Sequence, residues 1–362
     1  MSDTINRLGG VNNEAVWRVT KQAFLASALI FLVTILLGFL NILTTGQLPR
    51  WQVLVHLHSG TLGWITLSMI GAAVWLFAAD RSPSSAYAGR VKWVVWLSIL
   101  AFIGLIASFG LASDAIGLRV LLGIIGPIAA LVVWAAAVVI VLELRAMTGS
   151  SSAQWLMATG LVAAGIATTM GALMAMAVSG VLPFPPELAI FGHVIAIEGY
   201  LFLIGAATIE WLVIGADTTN RSRPALFQAL LGIVIALLGP AIIVMALMGV
   251  PQATLGMIAN LGLLSLIVLY GLVFLIRVGP TALTRSPLDG GPKAWGFFSA
   301  LWLAIAALMW PARLALGNPE WWILAYAHIL FVGLLTNAIL GVLAARTADA
   351  PPRYEWAEPV GM

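Results

Sequence analysis

V-H-L-H-S-G-T-L-G-W-I-T-L-S-M-I-G-A-A-V-W-L-F, Val55 to Phe77, has the length and apolar content of one membrane-crossing helix. Its first turn carries His56 and His58, and Gly63 and Gly71 follow below them. The chain holds only two more histidines, His193 and His328, and both open apolar stretches of their own. The intervals are equal: 193 − 58 = 135 and 328 − 193 = 135. Gly63 and Gly71 follow His58 by 5 and 13 positions, as Gly333 and Gly341 follow His328. His193 leads into Gly199 at +6 and into Ile204 to Ala207, I-G-A-A, which repeats Ile70 to Ala73. The pattern predicts one unit repeated about three times, with a histidine at the same depth in each.

Composition decides the solvent. Hydrophobic residues make up 62% of the 362 positions and charged residues 9%, against about 25% charged in soluble domains. Lipid must therefore cover most of the surface. The net charge of +3 is spread along the chain rather than clustered, which gives no footprint for nucleic acid. With no cysteine, disulfides, thiolate zinc sites, iron–sulfur clusters and C-x-x-C-H haem attachment are excluded. The first apolar run is too long for a cleaved signal peptide and is expected to be retained as a span.

Ten stretches are apolar over the roughly 20 residues a transmembrane helix needs: about 22–45, 53–79, 91–112, 118–144, 153–179, 187–215, 225–249, 252–277, 294–316 and 320–345. Their length and lack of alternation exclude barrel strands, so the fold expected is an all-α polytopic membrane protein. Four spans make one repeat, covering about 20–146 and 153–278, and a truncated third covers 294–346. The whole forms a single membrane domain, with 347–362 as a short tail. Gly126-Pro127 and Gly239-Pro240 are expected to kink the fourth and seventh spans.

Fourteen of the 17 Lys and Arg residues fall on the side shared by both termini, and only Arg50, Arg119 and Arg313 on the other. The positive-inside rule then makes both termini cytoplasmic. Spans 2, 6 and 10 run from outside to inside, so their histidines sit near the outer leaflet, with Trp51, Trp310, Trp321 and Trp322 at that boundary.

An imidazole inside a bilayer is either hydrogen-bonded between helices or a ligand. A zinc or copper site made by protein alone wants three or four ligands, whereas a haem needs one or two axial imidazoles and a wide apolar slot. Gly63, Gly71, Gly333 and Gly341 lack side chains where a flat macrocycle would collide, although small residues equally let helices approach. His58 and His328 are the expected iron ligands. His56 lies about 200° around the helix from His58, so it faces either the headgroups or a neighbouring site, such as one shared with His193. Arg50 and Arg313 stand where haem propionates would point, or simply anchor the interface. Glu198, mid-span, is a proton-relay or ligand candidate, with Tyr200 and Tyr326 as hydrogen-bonding partners or interfacial rings. Glu210 and Glu143, near the cytoplasmic boundary, are expected to snorkel.

Histidines leading the second, sixth and tenth helices of a threefold-repeated bundle resemble subunit I of the haem–copper oxidase superfamily, closest to its cbb3-type oxidase and nitric-oxide reductase branches. The resemblance covers ten spans by topology and three by motif. It implies haem b held by His58 (or His56) and His328, a second metal or haem involving His193, and a prokaryotic cell (inner) membrane. It also implies a redox partner: another subunit, a cytochrome or a quinol. Glu198 follows His193 by five, where the reductase branch has a glutamate at four. The chain departs from the family in three ways: span 7 has no histidine, span 10 reads Tyr326-Ala327-His328 instead of His-x-His, and two closing helices are missing. The binuclear centre is thus incomplete, and electron transfer is the expected function. The alternatives are a diverged nitric-oxide or oxygen reductase subunit, an NnrS-type haem–copper protein, and, from another class, a proton-coupled transporter.

Overall fold

The computed structural model describes residues 11–78, 85–111, 116–147, 149–214, 223–283, 291–316 and 321–347. Among them every element is helical, and ten helices are long and apolar enough to cross a membrane. They are α1 (Val11–Leu43), α2 (Arg50–Leu76), α3 (Ser85–Leu111), α4 (Ile116–Ala146), α5 (Ser152–Val178), α6 (Pro186–Ile214), α7 (Arg223–Leu247), α8 (Gln252–Arg277), α9 (Gly291–Ala315) and α10 (321–347). The chain is an all-α, multi-pass membrane protein. Most of the expected tail, from 348 on, lies outside the described residues.

Local chemistry sets the helix ends. α2 and α8 start directly after Pro49 and Pro251, whose fixed φ suits a helix entry. α5 starts at a capping box: Ser151 Oγ accepts from the Gln154 amide, and the Ser151 amide donates to Gln154 Oε1. Gln154 Nε2 also reaches the Leu76 carbonyl at 3.4 Å, tying the start of α5 to the end of α2. α5 and α7 stop at Gly180 and Gly249, whose φ of +75° and +83° a side chain would resist. α1 begins well before the apolar run because its first turns are amphipathic: Val16, Val19 and Ala23 are buried, and Trp17 meets Trp75 edge to face. Helix α4 continues through Pro127, and α7 through Pro240.

Spans α2, α6 and α10 pack against one another, and α2 and α6 are the most buried of the ten. In the apolar window of α2, 83% of residues are buried, against 17% in α1. Two of the three central helices are not regular. Ser59–Thr66 of α2 and Ile329–Thr336 of α10 are π-helical, and each begins on the residue after its histidine. Thr66 Oγ1 donates to the Thr61 carbonyl at 2.8 Å, and Thr336 Oγ1 to the Phe331 carbonyl at 2.9 Å, both reaching back five residues.

This accounts for the shorter run from histidine to second glycine in the middle repeat. From the histidine to the second glycine there are 71 − 58 = 13 and 341 − 328 = 13 positions, but 205 − 193 = 12 in α6, which is regular throughout. A π-segment accommodates one extra residue without changing where the helix goes next. Deleting one residue from 60–65 is therefore expected to yield a regular α2 and a folded protein. The same deletion in 194–199 would rotate the buried remainder of α6 by about 100°. Monodispersity in detergent is expected to survive the first deletion and be lost in the second.

Glycines set the closest helix crossings. The backbones of α6 and α7 meet at Gly192 with Gly239 and at Gly199 with Gly232: a Cβ at Gly199 would strike the Gly232 carbonyl, and one at Gly239 the Gly192 carbonyl. Such contacts replace the missing hydrophobic drive between helices in lipid. Gly199→Leu is expected to cost at least about 1–3 kcal/mol from overpacking, read as a lowered unfolding midpoint. Gly256→Leu, where a side chain would find open space, is expected to leave it unchanged.

Candidate functional site

The histidine end of the bundle is built on a repeated device. His56 Nδ1 hydrogen-bonds the Thr34 carbonyl of α1 at 2.8 Å, and its ring lies against Gly38, four residues on. His193 Nδ1 bonds the Ala167 carbonyl of α5 at 2.9 Å, and its ring lies against Gly171, again four on. His58 Nδ1 bonds the Leu54 carbonyl of its own helix at 2.8 Å. A carbonyl only accepts, so in all three rings Nδ1 carries a proton, which in a neutral imidazole leaves the lone pair on Nε2. That is the orientation a metal-ligating imidazole takes.

His56 thus turns to α1 and does not pair with His193. His58 turns the other way, its ring stacked on Phe109 of α3 with centroids 3.9 Å apart. The wide angle between His56 and His58 is what separates the two. His328 immediately precedes the π-segment of α10, and the residue is exposed.

Three side-chain hydrogen bonds close a triangle among the central helices. Tyr200 of α6 donates to Thr66 of α2 at 3.1 Å, Trp64 of α2 donates to Thr336 of α10 at 3.0 Å, and Tyr326 of α10 donates to Glu198 of α6 at 2.7 Å. Both tyrosines and Glu198 are buried, so neither phenol is an interfacial ring. Tyr326 takes the position of His56 in the third repeat (326 − 56 = 270), and Trp310, edge-on to it at 5.8 Å, stands where α1 has Gly38. Tyr326 stacks on Trp322, and the Arg313 guanidinium lies 5.0 Å from the Trp322 ring centre and 5.3 Å from that of Trp310. An aromatic column so connects Arg313 to the buried Glu198. Arg50 is exposed at the start of α2.

The four glycines read as a cofactor slot are filled by protein. A Cβ on Gly63 would collide with Ile30 and meet Ile106, one on Gly71 would press on Ala23, one on Gly333 on Trp302, and one on Gly341 on Leu212 and Trp295. These are helix-contact glycines, and their partners repeat as faithfully as they do: 302 − 30 = 272 and 295 − 23 = 272. α10 therefore packs on α9 as α2 packs on α1. The missing side chains serve close approach of helices, which the spacing alone could not distinguish from room for a ring.

Glu210 does not snorkel. It is 2% exposed and receives both hydrogen bonds of a forked pair from Arg277 Nη2, at 2.9 and 3.0 Å. Arg277 also donates to Gln228 of α7. Glu143 is buried as well, with Arg90 at 3.8 Å. Sequence reading also passed over Thr66 and Thr336, although both follow their histidine by eight positions, a repeat as regular as that of the glycines. Among the described residues no three His, Cys, Asp or Glu side chains come together as a metal site would need.

Comparison of the chain with protein-family models, with curated proteins and with solved structures returned no match.

Proposed function

We propose that the chain is an electron-transfer protein of a prokaryotic cell membrane, with both termini cytoplasmic, that binds haem b through His58 and His328 near the outer face. The observation that carries this reading is the shared register of the two histidines. Each is the last residue before a π-segment, on two helices that touch through Trp64 and Thr336, and such segments are frequent at functional sites. The fixed Nδ1–H of His58 supports it, because Nε2 is then the nitrogen left to ligate.

The donor chemistry suits the group, His58 from a partly buried position and His328 from an exposed one on a touching helix, and the slot is not made by the four glycines. His58 and His328 would hold the haem, which would supply a one-electron couple there. His58 holds its tautomer through Leu54. Phe109 excludes water from one face of that ring. Trp64 and Thr336 fix the spacing of the two helices below. Glu198 is engaged by Tyr326, and among the described residues His193 belongs to no group of three potential metal ligands, so neither enters the ligand set proposed here. A redox subunit, a cytochrome or a quinol would be the electron partner.

Protein purified from haem-replete membranes is expected to give one haem b per chain by pyridine haemochrome and iron analysis. Iron-free protein without a Soret band would end the proposal.

A further inference from the structure

Spans α7 and α8 are joined by a short turn at 248–251. Between their other ends, opposite the histidines, lies a groove of about 400 Å³. Pro224 and Phe227 of α7 and Val273, Ile276 and Arg277 of α8 line it. Phe227 is 44% exposed and Ile276 76%, so the groove is open on the lipid side. Arg277 is the only polar residue in the lining, and its side chain is 7% exposed.

A guanidinium offers only donors. Nη2 of Arg277 serves both oxygens of the buried Glu210, and Nη1 serves Oε1 of the buried Gln228. The remaining nitrogen, Nε, is buried and has no acceptor. Gln228 Nε2 has none either, and its identity is fixed because an arginine can bond only the amide oxygen. Buried donors in folded proteins are normally satisfied. A water at Nε would itself need about three polar partners, and the lining offers one polar residue. An oxygen carried on an apolar molecule meets the need, with hydrocarbon along Phe227, Val273 and Ile276. Glu210 already balances the Arg277 charge, so the acceptor that suits Nε is an uncharged carbonyl. The groove lies at the first turn of α7 and the last turn of α8, where hydrocarbon gives way to headgroups. Two cations that suit a phosphate, Arg221 and Arg223, stand within three positions of Pro224 in the sequence.

We propose that this groove binds one glycerophospholipid, an acyl chain lying along Phe227, Val273 and Ile276 and an ester carbonyl accepting from Arg277 Nε. The lipid closes the open end of the α7–α8 hairpin and completes the hydrogen bonding of its buried arginine. This site is independent of the haem, which the proposed histidine ligands would hold at the other end of the bundle.

The test is native mass spectrometry of the full chain, delipidated in detergent and titrated with dioleoyl phosphatidylglycerol. One retained lipid per chain is expected. Ile276→Trp fills the groove from an exposed position without touching the Arg277–Glu210 pair, and is expected to weaken retention at least about tenfold. Leu131→Trp, on the exposed face of α4, is expected to leave retention unchanged. The dialkyl ether analogue, which has the same headgroup and no ester carbonyl, is expected to bind the parent about tenfold more weakly. No retained lipid, equal retention by Ile276→Trp and Leu131→Trp, equal binding of ester and ether lipids, or preference for a quinone in a mixed titration would overturn the proposal. Folding of each variant is read from its detergent elution profile, and a misfolded Ile276→Trp is replaced by Phe227→Trp.

Discussion

His58→Ala and His328→Ala are each expected to abolish the narrow reduced-minus-oxidised α-band of the purified protein, while His193→Ala keeps it. A six-coordinate haem with one axial imidazole removed loses its low-spin spectrum and much of its retention in the apolar site. His193 provides the control because its ring is seated on α5 by the same carbonyl bond that seats His56 on α1. Its loss removes a helix contact and leaves the proposed ligand pair intact. A band that survives both ligand variants, or that vanishes only with His193, would assign the iron elsewhere.

The second large effect is expected at the opposite end of the bundle. Arg277→Ala leaves the Glu210 carboxylate buried without its partner, and breaking a buried pair in this way costs about 3–5 kcal/mol. Both side chains are nearly inaccessible, at 7% and 2% exposure, so solvent screening relieves little of this. Replacing both residues at once, Arg277→Met with Glu210→Leu, removes the orphaned charge and is expected to recover most of the loss. The measurement is the unfolding midpoint of the two single variants and the double variant in one detergent. Equal midpoints for Arg277→Ala and the parent would mean that the pair contributes nothing.

The ten spans were legible because lipid imposes a length and forbids unpaired backbone, so their edges differ from the described helices by a few residues except at the start of α1. There the amphipathic turns around Val16 and Val19 continue the helix beyond the apolar run. The histidine register was legible for the same reason that the π-segments were not. Equal intervals stand out in a sequence, whereas the one-residue difference between the 13-position and 12-position spacings looks like imprecision until α2 and α6 are compared. Glu210 illustrates a harder case. Its position near a helix end suited a snorkelling carboxylate, and only the packing of α6, α7 and α8 brings it Arg277, itself held by Gln228. The glycines were seen, but the sequence left room for a ring and close helix approach both open, because absence of a side chain carries no sign of what fills the space.

A density map of the protein isolated from haem-supplied membranes tests the central claim most directly. The account predicts an iron between the Nε2 atoms of His58 and His328, with the Trp64–Thr336 contact retained beneath it. A map of the haem-supplied protein with iron held elsewhere, or with no macrocycle spanning α2 and α10, would contradict it.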